Sequence, residues 1–172
     1  MTLLVQLGLA ATFVGITTYT DAKQMKIYNK HVFPFFLIGF ALAVISKNYE
    51  LLISAVIVFG VFLFIYNGGR VMSKLIASMG GLPLSSGQKP MAGGDVKLAT
   101  TLALYLGFLP VLYGTILACV FMVVLAGIKA WRTTGNSMAV AFVATGKMPA
   151  KPVPIGALMG PCSLVIALLF LI

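Results

Sequence analysis

Acidic residues are nearly missing from this chain: three of its 172 residues are Asp or Glu, against 12 Lys or Arg. Charged residues of both signs make up 9% of the sequence and hydrophobic residues 60%, where a soluble domain carries about 25% charged residues. That balance excludes a water-soluble globule. Cysteine is scarce too. Cys119 and Cys162 fall within apolar runs and form no CxxC, so both are expected as small core residues, with no disulfide framework and no structural zinc site. Internal repeats, low-complexity tracts and recognisable glycine-rich cofactor loops are also lacking. The single histidine, His31, opens an apolar segment and is expected at the membrane interface. No metal and no cofactor are expected.

What the chain has in quantity is apolar length. Six apolar segments cover residues 2–20, 31–46, 51–66, 95–107 or 108, 111–129 and 155–172. A spanning helix takes roughly 20 mostly apolar residues, and segments two to four reach that length with their polar flanks. The expected fold is an all-α integral membrane protein with six transmembrane helices, a single domain over residues 1–172. The first segment has no basic start and no small-residue cleavage site after it, so it is expected as a permanent helix. Between the third and fourth segments, Arg70 and Lys74 lie four apart beside the apolar stripe Val71, Met72, Leu75, Ile76 and Met79. That pattern predicts a short interfacial helix. A connector rich in Gly, Pro and Ser follows over 80–87, and 138–144 is a second candidate interfacial turn.

The basic excess is spread over several loops rather than gathered on one face, so nucleic acid is not expected as a partner. The lipid bilayer is. Eleven of the twelve basic residues fall on one side of the six segments, and Lys47 stands alone on the other. Basic residues collect in cytoplasmic loops, which puts the eleven in the cytoplasm and both termini outside. Trp131 beside Arg132 fits an interfacial anchor. In the last two segments Gly114, Ala118, Gly156 and Gly160 are expected to be helix-packing positions.

The three acids then stand out. Glu50 lies in an outer turn with Lys47, where solvent explains it. Asp21 and Asp95 both fall at cytoplasmic ends of apolar segments, hence at one depth, where they can meet. Asp95 opens a helix after Gly93-Gly94, and a capping role would account for it. Asp21 closes a helix, where an anion opposes the dipole; Lys23 or Lys26 could pair with it. Two carboxylates that meet in a desolvated site share one proton, so that one takes a proton from water while the other donates to a scissile carbonyl. That is aspartic-protease chemistry. Lys97, two residues beyond Asp95, either orients the loop that carries the acid, lowers a carboxylate pKa, or snorkels to the interface.

The segment Asp21-Ala22-Lys23-Gln24-Met25-Lys26-Ile27-Tyr28-Asn29 resembles the first motif of the type IV prepilin peptidase family. Ala92-Gly93-Gly94-Asp95-Val96-Lys97-Leu98 resembles the second, the GxGD motif. Ala92 replaces the first glycine of that motif, and Tyr28 the usual proline of the first. The resemblance implies a GxGD aspartyl protease-like fold in the bacterial inner membrane. It implies an endopeptidase that removes the short basic leader of prepilins or pseudopilins on the cytoplasmic side, cutting after a glycine. Asp21 and Asp95 would be the catalytic pair, with Gly93, Gly94 and Lys97 in the active-site loop. The length is similar to the short form associated with tight-adherence (Flp) pili. The two-CxxC domain of long members is absent, and nothing recognisable supports the N-methyl transfer those members also perform. Two other readings use the same acids: a small proton-coupled transporter, in which they form a relay, and a non-enzymatic pilus-assembly subunit, in which they cap and pair.

Overall fold

A computed structural model describes residues 2–24, 26–78, 93–135 and 155–171. The described residues form six helices and no strand: α1 (Thr2–Gln24), α2 (Asn29–Ile45), α3 (Tyr49–Ser78), α4 (Gly93–Leu106), α5 (Phe108–Thr134) and α6 (Ile155–Leu169). Two of them, over Tyr49–Gly68 and Phe108–Thr133, are long and apolar enough to cross a membrane. The connector at 80–87 and the candidate turn at 138–144 lie outside the described residues, as does Met79.

The stretch expected as a separate interfacial helix is helical over Gly69–Ser78, but it continues α3 without a break. No proline falls between residues 49 and 78, and Gly68-Gly69 weakens a helix by only about 1 kcal/mol per residue. At 1.5 Å per residue, the 30 residues of α3 outrun a hydrocarbon core of about 30 Å. The basic end of the helix therefore extends beyond its apolar part.

The turns are closed by backbone chemistry. After α2, Asn48 N–H donates to Ala43 O at 3.0 Å and Lys47 N–H to Val44 O at 3.1 Å. This is the Schellman arrangement, which needs a left-handed residue at the position after the cap. Lys47 occupies it with φ of 54°, where glycine is usual. Between α4 and α5 stands a single residue, Gly107, at φ 83° and ψ 179°, a conformation open essentially to glycine alone. Pro110 then sits in the first turn of α5, where its missing N–H leaves no helical bond unmade.

Helix α4 is the hub. It touches each of the other five described helices, and nine of its 14 residues are buried, with Gly93 and Lys97 left exposed near its start. A helix with so few exposed positions is one packed among others. Leu98, Leu102 and Leu104 fill the centre with Phe13, Val58, Phe62, Val111 and Met159. At its far end the Tyr105 hydroxyl donates to Phe35 O at 2.5 Å. The Tyr105 ring lies where a side chain on Gly39 would be, with ring carbons 2.9 Å from the position of a Cβ. Helices α5 and α6 press together at Gly114, where a Cβ would fall 2.3 Å from Ser163 Oγ.

The outer surfaces carry large apolar side chains. Phe64 and Ile45 are each 78% exposed, and Phe33, Phe40, Ile116 and Phe121 face outward beside them. Water would not tolerate so continuous an apolar surface, and hydrocarbon does. Cys162 is buried as expected, whereas Cys119 is exposed. It lies on the outward face of α5 between Ile116 and Val120, where a small apolar residue meets lipid as readily as core.

Lys47→Gly is expected to stabilise the bundle by up to about 1 kcal/mol, because the left-handed penalty of a side chain disappears. A thermal unfolding midpoint in detergent below that of the wild type would contradict the turn geometry.

Candidate active site

The acidic residues of the two motifs come together where α1, α4 and α6 converge. Asp21 lies in the last turn of α1 and is 5% exposed; Asp95 lies in the first turn of α4 and is 6% exposed. They are the only buried acids among the described residues. Polar Thr17, one turn before Asp21, satisfies itself by donating to Phe13 O at 2.8 Å. Thr101 on α4 does the same with Lys97 O at 2.9 Å. Both hydroxyls are thus spent within their own helices, whereas the buried Thr18 Oγ1 on α1 has no hydrogen-bond partner among the described residues.

The meeting point is Gly156, in the first turn of α6. A Cβ on this residue would lie 2.8 Å from Asp21 Oδ2 and 3.3 Å from Asp95 Oδ1. The two oxygens can be no farther apart than the sum of those distances. Ala157 N–H donates to Asp21 Oδ2 at 2.8 Å.

Ile27, from the link between α1 and α2, closes the site. Its Cδ1 lies 2.7 Å from the Cβ position of Gly156, and its own Cβ lies 3.1 Å from that of Gly94. The Gly94 backbone thus comes close under Ile27 because it carries no side chain. Gly93 has open space around its Cα, so its side of the turn is unobstructed.

Lys97 is exposed and donates from Nζ to Asn29 Oδ1 at 2.9 Å. This ties the first turns of α4 and α2, the two helices that begin the motifs' apolar segments. His31 lies edge-on to Tyr28, ring centroids 6.2 Å apart, in the same stretch. Ala92 lies outside the described residues.

Five sequence-derived positions thus divide cleanly. Asp21, Asp95 and Gly94 meet at one point; Gly93 borders it; Lys97 braces the helices beside it. Gly156, expected as a packing glycine, is instead at the centre. The depth argument that pairs the aspartates also puts the start of the sixth apolar segment beside them, so a signal for Gly156 was available. Ile27 and Ala157 were not singled out: one is an ordinary apolar residue and the other acts through its backbone.

The model of the type IV leader peptidase family matches residues 8–127, a range that contains both aspartates and stops short of α6. No curated protein and no solved structure matches the chain.

Lys97→Ala and Asn29→Ala are each expected to lower stability by at most about 1 kcal/mol, and the double variant by no more than the larger single loss. Additive losses in thermal unfolding would mean that the bond between them contributes nothing.

Proposed function

The chain belongs to the type IV leader peptidase family, and from that membership together with the facing carboxylates we propose that it is a membrane-embedded aspartic endopeptidase that trims prepilins or pseudopilins. The observation that carries the reading is the meeting of two buried carboxylates from sequence-distant helices around one side-chain-free Cα. A capping role would need neither carboxylate to face the other.

In this reading the chain crosses a bacterial inner membrane six times, with both termini outside and the aspartates at the cytoplasmic face. Like charges this close in a desolvated site do not both ionise, so the pair holds one proton and titrates as a unit. The ionised member takes a proton from a water molecule as that water attacks the peptide carbonyl. The protonated member donates to the carbonyl oxygen as it becomes tetrahedral, and then the proton is passed on to the leaving amine. No step calls for a metal or cofactor.

The substrate is the short basic leader, cut after a glycine. Cleavage next to the bilayer requires an extended backbone to reach the carboxylates past Ile27. A residue without a side chain at the reacting carbonyl approaches most closely, and the bare backbones of Gly94 and Gly156 leave room for it. Lysines crowd this end of the bundle, so attraction of a basic leader falls to the aspartates, to backbone carbonyls and to acidic headgroups. A transporter relay would place its acids near the membrane midplane; here they sit at helix ends.

The test is co-expression with a small pilin precursor in membranes. Asp21→Asn and Asp95→Asn are each expected to reduce mature pilin by at least about a hundredfold, the contribution of a positioned acid or base, at unchanged membrane levels. Normal processing by either variant would refute the two-carboxylate mechanism.

A further inference from the structure

The first turn of α6 belongs to neither motif and lies beyond the residues that the family model matches. Its geometry nevertheless addresses the main difficulty of the site. Asp21 is in the last turn of α1, where the negative end of the helix dipole disfavours a carboxylate. The N-terminus of α6 supplies the opposite field. The first four N–H groups of a helix have no partner within it, and Ala157 gives one of these to Asp21 Oδ2 at 2.8 Å. The bond joins residues 136 positions apart, so it is a tertiary device and not a local cap.

Gly156 fulfils a second requirement. The position of its missing Cβ lies 2.8 Å from Asp21 Oδ2, 3.3 Å from Asp95 Oδ1 and 2.7 Å from Ile27 Cδ1. Ile27 Cδ1 is the end of a flexible side chain and can turn away. Asp21 Oδ2 is held by Ala157 and cannot turn away without losing that bond. Gly160, one turn along the same face, differs: the atoms nearest a Cβ there belong to the Val14 side chain, at 3.0 and 3.2 Å.

We propose that Gly156-Ala157 is a positioning element of the active site, holding the Asp21 carboxylate through its backbone and keeping the space between the two carboxylates open. The geometric claim stands by itself; its kinetic consequence rests on the peptidase reading. Gly156 and Ala157 are positioning residues, since each acts through Asp21.

The chain has two aspartates, so labelling aspartate carboxyl carbons with 13C gives the purified protein in micelles two signals and no others. Asp21→Asn identifies which is which. Gly156→Ala and Ala157→Pro are both expected to move the Asp21 signal and its titration. Ala157→Pro removes the donating N–H at a first-turn position that accepts proline. Gly160→Ala is expected to leave both signals in place. Adding Ile27→Ala to Gly156→Ala relieves the clash with Ile27 alone, and the signal is expected to stay displaced.

In the leader-cleavage assay, Gly156→Ala and Ala157→Pro are expected to lose about a hundredfold in kcat, as a misplaced reacting group does, with KM within about twofold and an altered pH profile. Unmoved Asp21 signals in both variants would overturn the proposal. So would recovery in the Ile27→Ala double variant, or failure of both variants to fold while Gly160→Ala folds, since either outcome marks a packing glycine. Displaced signals with an inactive wild type would leave the positioning role standing and remove the peptidase reading. Displaced signals with undiminished cleavage would overturn the kinetic consequence.

Discussion

Two carboxylates at the edge of an apolar bundle repel each other and lose hydration, and every other feature of this site works against that penalty. An ionised side chain at a helix centre costs roughly 2.5–3.5 kcal/mol on insertion scales. The chain limits the exposure to such a penalty by carrying only three acids. It places the two that are buried at helix ends, where backbone dipoles are unspent. Asp95 sits in the favourable first turn of its own helix. Asp21, at the unfavourable end of α1, is stabilised by a different helix.

That solution needs helices to arrive at one point from distant parts of the chain, and α4 makes it achievable. Because α4 packs against the other five described helices, its first turn is located by packing along its whole length. Tyr105 holds the far end through Phe35 O and the bare face of Gly39. Lys97 and Asn29 hold the near end. A carboxylate on such a helix has little freedom to drift, and close interior packing transmits position better than a loop does.

Much of this arrangement is legible in the sequence, for identifiable reasons. Apolar runs mark helices because hydrocarbon demands that backbone polar groups bond internally. Topology from lysine counts puts Asp21 and Asp95 at one depth, and their rarity singles them out. The boundary of α3 is less legible, since Gly68-Gly69 looks like a stop and the helix runs through it to Ser78. Cys119 looks like core and faces outward, because lipid and core select the same residue types. Gly156 is hidden more deeply. Its contribution is an absent side chain, and neighbouring Ala157 contributes only an N–H, so neither residue type announces a role. Only the three-dimensional approach of α6 to Asp21 distinguishes Gly156 from Gly160, four residues on.

The link from Ala157 to Asp21 also orders events in time. The chain is made from its N-terminus onward, so α1 to α5 are in place before α6. At that stage Asp21 and Asp95 are both present, yet Asp21 lacks the Ala157 N–H and faces the wrong end of its own helix. The carboxylate pair therefore becomes a defined site only once α6 has docked, and a nascent fragment that ends before Ile155 carries both acids without the backbone that holds Asp21 in place.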